Sequence, residues 1–372
     1  MKVDWNGYYF PNEMMEQADA IENCMKLLKE QIGKVAEVCR NADRVYIVGS
    51  GDCYFIGCAA AYAFRKYAGI EAAHYEAYDF CLMKPYVDEK TAVVLFSSSG
   101  KSVYVIKSLD YVNPKNAIVV GVTNHEDSPL GTRCSIPLVT TATGVSKSFP
   151  TKTSTSGLAL MYALSAELGK RNGKGDAEAS DRFLEELENK LPSVIRRIYD
   201  EEYPKIKEKA PMFLEARYYE FAGSGPARTA AMIGAAKLIE TSQLHPNATN
   251  SEEYMHLVGF SIKSPDVAVV IGNNLDDHRE KQVAEYATEQ YARVFVVGAV
   301  GCEETPNILK VAPFIGELNE CSCVIASMVV LHLFAAELSR LSFKDPDNPH
   351  DVDLKKSIER LYTGPVAGWQ GE

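Results

Sequence analysis

The chain repeats itself at long range, and this limits its fold more than any other feature. VYIVGSG at 45–51 returns as YEFAGSG at 219–225, an offset of 174 residues. VVLFS at 93–97 returns as VAVVI at 267–271 at the same offset, and AIVVGV at 117–122 returns as RVFVVG at 293–298 at an offset of 176. Three segments in register describe two copies of one fold, not an array of short repeats. Within each copy the strands are near-continuous apolar runs separated by helical stretches. That pattern predicts an α/β architecture whose parallel sheets are covered on both faces.

Helical spacing is clear around the strands. Met15, Ala18, Ile21, Met25, Leu28, Ile32 and Val35 predict one helix over 12–40. Further helices are expected over Cys53–Tyr67, Val103–Tyr111 and about 319–342. The chain then divides into an N-terminal helical segment (1–40), a first copy (41–168), a helical connector (169–215), a second copy (216–342) and a polar tail (343–372). GKRNGKGD at 169–176 is the expected exposed loop.

Composition excludes several classes of protein. A length of 372 residues with 46% hydrophobic and 24% charged residues fits a globular chain with sizeable cores. The net charge of −11 and the lack of any Lys/Arg run argue against nucleic-acid and membrane partners. No apolar run of about eighteen residues predicts a transmembrane helix. The opening MKVDWNGYYFPNEMMEQ lacks the layout of a signal peptide. The nine cysteines, including Cys53 and Cys58 on one helix and the pair Cys321 and Cys323, have neither zinc nor redox spacing. Reduced thiols in a cytoplasmic protein with no bound metal are the expectation.

Ligands of open parallel sheets bind at the carboxyl ends of the strands. Gly49-Ser50-Gly51 and Gly223-Ser224-Gly225 lie there, and each opens a helix that could receive an anion. A tight strand-to-helix turn with no ligand is the preferred reading of a lone Gly-Ser-Gly. Ser97-Ser98-Ser99-Gly100-Lys101-Ser102 is more specific. Its four hydroxyls exceed what a helix cap needs and suit the several acceptor oxygens of a phosphate monoester. Two nucleotide motifs fail. A Walker loop needs Gly where Leu95 stands, and a dinucleotide fingerprint needs Gly where Tyr54 stands.

The second copy has Gly272-Asn273-Asn274 where the first has serines. It carries KLIETSQLHPNATNSEEYMH at 237–256 instead, in which Glu240 ends a helix and His256 follows 16 residues later. A carboxylate and an imidazole are the two groups that opening a sugar ring and moving a proton between C1 and C2 require. On the residues alone, Glu240 also reads as a surface helix residue, and His245 and His256 as loop residues.

The doubled unit, the SSSGKS loop and the Glu-to-His segment resemble tandem sugar-isomerase (SIS) domain proteins. That family includes the isomerase half of glucosamine-6-phosphate synthase and the fructosamine-6-phosphate deglycases. The likeness spans roughly residues 40 to 358. It implies two SIS-type, flavodoxin-like α/β sandwiches related by internal duplication. It implies that Ser97, Ser98, Ser99, Gly100 and Ser102 hold a phosphate, that Glu240 shuttles a proton and that His256 opens the ring. In the family this histidine comes from the neighbouring subunit, which implies a homodimer with shared active sites. Lys356 matches the lysine that reaches the open-chain sugar, with Lys355 as the competing register. Gly51, Cys53, Ser146 and Lys147 complete the implied substrate contacts.

The chain departs from the synthase pattern in places. Cys53 replaces a hydroxyl. Ala142-Thr143 precedes Gly144-Val145 where the synthase has Glu, and Leu257-Val258 follows His256 in place of Gly-Pro. Lys101 replaces an acid and is closer to the deglycases. No segment corresponds to the synthase's glutaminase half. The resemblance therefore implies an isomerase-type enzyme acting on a 6-phosphorylated amino sugar or fructosamine, with C–N cleavage as deglycase or deaminase. A simple aldose–ketose phosphate isomerase and a non-catalytic sugar-phosphate sensor are the alternatives. No cofactor is expected, because the adjacent carbonyl or iminium supplies the acidity.

Overall fold

The computed structural model describes residues 7–140 and 147–348. By packing they form two compact units with one sheet each. One unit holds residues 23–140 and 160–184, and the other holds 7–22, 147–159 and 185–348.

The sheet of the first unit contains β1 (Arg44–Gly49), β2 (Glu71–Glu76), β3 (Thr91–Phe96), β4 (Ile118–Thr123) and β5 (Ile136–Val139) in the order β2-β1-β3-β4-β5. Every pairing is parallel. The second sheet contains β6 (Tyr219–Gly223), β7 (Pro246–Thr249), β8 (Val267–Ile271), β9 (Arg293–Val297) and β10 (Ile308–Val311). Its order, β7-β6-β8-β9-β10, reproduces the first, again all parallel. Both are the flavodoxin-like doubly wound order, with the order reversing between the first and third strands of each copy.

The central strands behave as their apolar runs predict. All six residues of β3 and all five of β8 are buried, which requires helices on both faces. The four strands the repeat does not reveal are β2, β5, β7 and β10, and all four are sheet edges. β2, β5 and β7 are only partly covered, so their sequences lose the apolar run, whereas β10 (ILKV) is mostly buried and is only four residues long. Pro137 in β5 and Pro246 in β7 are tolerated there because an edge leaves one set of N–H positions unpaired.

The expected helices form over Gln17–Cys39, Asp52–Ala68, Val103–Val112 and Glu320–Leu341. Short turns at Phe10–Glu13 and Met14–Glu16 precede the first of these. The helix Lys152–Asn172 runs further than expected and narrows the loop to residues 173–176. Glu320–Leu341 is long and apolar enough by composition to cross a membrane, yet its most apolar window is wholly buried within the fold. It is the central core helix of its unit.

Candidate active site

The switch point of the first sheet lies between the carboxyl ends of β1 and β3. Gly49-Ser50-Gly51 leaves β1, and Gly51 has φ +58°, a left-handed value that glycine adopts without strain. The Ser50 hydroxyl donates to Glu76 Oε1 at 2.8 Å, so it is used in fixing the turn. Cys53, in the next helical turn, places Sγ 3.7 Å from Ser98 Oγ and joins this turn to the serine loop.

The serine loop is closed by its own groups. Ser97, 2% exposed, places Oγ 3.0 Å from Ser102 Oγ and accepts the Ser102 N–H at 3.4 Å. Ser99 Oγ accepts the Lys101 N–H at 3.2 Å. Gly100 has φ +66°, and a Cβ there would lie 1.9 Å from Ser128 Oγ. No side chain larger than hydrogen fits that corner. Ser102 occupies the N-cap of helix Val103–Val112, but its hydroxyl makes no capping bond. The first-turn amides of that helix are left to solvent or a ligand, the arrangement an anion uses. Ser97, Ser98, Ser99, Gly100 and Ser102 therefore form one turn, in which Ser97 is buried and shapes the loop while Ser98, Ser99 and Ser102 are half-buried.

The corresponding loop of the second sheet is built alike and filled differently. Asn274, 174 residues after Gly100, is also left-handed, with φ +56°. Here the Asp277 carboxylate accepts the Asn273 N–H at 2.7 Å, and Asn273 Oδ1 accepts the N–H groups of Leu275 and Asp276 at 2.7 and 3.0 Å. Burial pushes the Asp277 carboxyl above its usual range, against the pull of the Asn273 N–H bond. The loop's amides are already taken by its own side chains.

Glu240 lies near the end of helix Arg228–Ser242, behind β6. Lys237, three residues earlier on the same face, donates from Nζ to Glu240 Oε2 at 2.6 Å. The lysine side chain is fully buried and that of Glu240 is 27% exposed. On the residues alone Glu240 also reads as a surface helix residue; the structure gives it a buried ammonium as counter-charge. His332, on the core helix, is also fully buried. Its Nδ1 lies 2.8 Å from Gln17 Oε1, and burial together with the Lys237 charge pushes it well below the usual imidazole range. It is therefore a neutral ring. The i,i+3 spacing of Lys237 and Glu240 was readable in the sequence, whereas nothing local marks His332.

His256 ends the short helix Ser251–His256 and is 70% exposed. Its Nε2 lies 2.8 Å from Glu252 Oε1. Leu257 and Phe260 beside it are 69% and 81% exposed. Lys147 belongs to the same unit. Its N–H donates to Glu13 Oε1 at 2.7 Å, and its ammonium lies 5.1 Å from the centre of the Tyr9 ring. Ser146, Lys355 and Lys356 lie outside the described residues. Among the described residues, no group of His, Cys, Asp and Glu is arranged to hold a metal ion.

Residues 39–166 match the SIS domain family. The isomerising glutamine–fructose-6-phosphate aminotransferase of Thermotoga maritima is 24% identical over 365 residues, covering 95% of this chain and 59% of that protein. The enzyme of the same name from Thermococcus kodakarensis is 26% identical over 361 residues, covering 95% and 58%. The chain thus spans about three fifths of the length of these curated relatives. Among solved structures, the C-terminal domain of glucosamine-fructose-6-phosphate aminotransferase from Francisella tularensis superposes with a TM-score of 0.81 at 21% identity, covering 94% of this chain and 100% of that one. Tagatose-6-phosphate ketose/aldose isomerase from Escherichia coli gives 0.77 at 16% identity, covering 94% and 97%.

Proposed function

We propose that this chain, which carries an SIS domain around its first sheet and repeats the fold in its second, is a phosphosugar isomerase-type enzyme. Its substrate is a 6-phosphorylated amino sugar or fructosamine. The reaction moves a proton between C1 and C2 and ends in cleavage of the C–N bond. The observation that carries this reading is the Glu240 carboxylate paired with a fully buried ammonium at 2.6 Å. A glutamate wholly in solvent would not meet a lysine that is itself fully buried, so the pair supports a role for Glu240 beyond that of a surface helix residue.

The steps follow from the groups. The serine loop and the first-turn amides of helix Val103–Val112 hold the phosphate. His256 takes the proton of the anomeric hydroxyl as the ring C–O bond breaks, and the ring oxygen receives a proton in return. Glu240 removes the proton from one of C1 and C2, giving an enediol or enaminol, and returns it to the other carbon. Lys356 reaches the open-chain sugar. Water adds to the resulting imine, and the amine leaves.

A homodimer with shared sites belongs to the same proposal. It is supported by His256 standing exposed beside the apolar Leu257 and Phe260, where a second subunit would cover them. Cytoplasmic location, with neither nucleic acid nor membrane as partner, is supported by the net charge of −11.

The test is incubation of the chain with fructosamine 6-phosphates, glucosamine 6-phosphate and fructose 6-phosphate, with products read by mass spectrometry. Free amine together with a hexose 6-phosphate is the expected result. Interconversion of aldose and ketose phosphates alone would favour the simple isomerase, and binding without turnover would favour the sensor.

A further inference from the structure

The helix that carries His256 has six residues, too few to hold its shape alone in water. Three contacts fix it. Asn250 caps it, accepting the Glu253 N–H at 2.7 Å. Ser251, fully buried, donates to Glu280 Oε1 at 2.7 Å. Arg279, next to Glu280 in the first turn of helix His278–Glu289, places Nε 2.6 Å from Glu252 Oε2. The other oxygen of Glu252 lies 2.8 Å from His256 Nε2. One turn of the neighbouring helix therefore fixes both the start of the short helix and, through Glu252, the imidazole at its end.

We infer that Glu252, held by Arg279, is the positioning residue for His256 and fixes its tautomer with the proton on Nε2. An ionised carboxylate only accepts hydrogen bonds, so the ring nitrogen facing it must donate. The lone pair is then on Nδ1, which is the nitrogen free to take a proton from a sugar hydroxyl. This role rests on the proposal that His256 opens the ring; the tautomer itself does not depend on it. Glu252 and His256 are 50% and 70% exposed, and an exposed pair of this kind adds little stability. What the contact supplies is orientation.

The test joins a spectrum to kinetics in the full-length chain. Imidazole 15N–1H correlation spectra, with His256 assigned through its loss in His256→Gln, should show the single Nε2–H form. Glu252→Ala should give a mixture of the two tautomers. Glu252→Gln, whose amide oxygen still accepts, should keep the Nε2–H form. Melting temperature should change by no more than about 2 °C in either variant, as for a surface pair. Turnover of the phosphosugar by Glu252→Ala should fall at least about tenfold at unchanged KM, with recovery in Glu252→Gln. An Nδ1–H form in the unaltered chain, or an unchanged spectrum in Glu252→Ala, overturns the inference. If the unaltered chain turns over no phosphosugar, the functional reading fails, and the spectra still decide the tautomer.

Discussion

Lys237 Nζ stands 2.6 Å from Glu240 Oε2, with the lysine side chain fully buried and that of the glutamate reaching solvent. The carboxylate to which the proposal gives the proton is thus held beside a positive charge that is itself shielded from water, where charge interactions are stronger than in bulk solvent. His332, neutral and buried, adds no second charge to the pair.

Lys237→Met keeps the length of the side chain and removes its charge. Turnover should fall at least about tenfold, in line with the weight of a tuned acid–base group. Calorimetry should show phosphosugar affinity unchanged. Full turnover in a folded Lys237→Met protein would reduce Lys237 to a packing residue.

The two equivalent loops should respond differently to phosphate. Amide resonances of residues 98–104 should shift on titration with inorganic phosphate, while those of Asn273, Leu275 and Asp276, already bonded to the Asp277 and Asn273 side chains, should stay in place. Changing Ser99 and Ser102 to Ala should weaken phosphosugar binding, because a hydrogen bond to a charged group contributes roughly 1.5–3 kcal/mol. The unphosphorylated sugar should bind as before. Equal losses for both ligands would place the phosphate elsewhere.

Glu220 predicts a pH effect on stability. It is fully buried on β6, and its acceptors are served by the Tyr218 hydroxyl at 2.8 Å and Asn247 Nδ2 at 3.1–3.2 Å, with no cation among these partners. Burial raises its carboxyl above the usual value of 4.5, against the pull of those bonds. An acid whose folded pKa is raised favours folding fully below its unfolded pKa, and that contribution is lost as pH rises through the raised value. Glu220→Gln cannot ionise. The melting temperature of the unaltered chain, measured against that of Glu220→Gln, should therefore decline as the pH rises above the usual value of 4.5. A difference that stays flat as the pH rises would contradict the shift.

The sequence displays the duplicated fold because buried parallel strands need continuous apolar runs, and the six inner strands have them. The edge strands β2, β5 and β7 escape notice because partial exposure or proline erases that signal, and β10 because its apolar run is only four residues long. The serine turn is legible because its hydroxyls are contiguous. The role of Ser97 in closing the loop is not, since only folding shows that its oxygen meets Ser102. Lys237 is visible as a spacing but not as a buried ammonium. Asp277 and Arg279 read as ordinary helix-start residues, because what they hold lies in another turn or another helix.

The central claim is that Glu240 carries the proton between C1 and C2, and Glu240→Gln tests it most directly. The amide keeps the shape and removes the base. In deuterated water the unaltered chain should place solvent deuterium at C1 or C2 of the recovered phosphosugar. Glu240→Gln should bind the same sugar with little change, turn it over at least about a hundredfold more slowly and leave those carbons unlabelled. Labelling at the normal rate in Glu240→Gln would contradict the account.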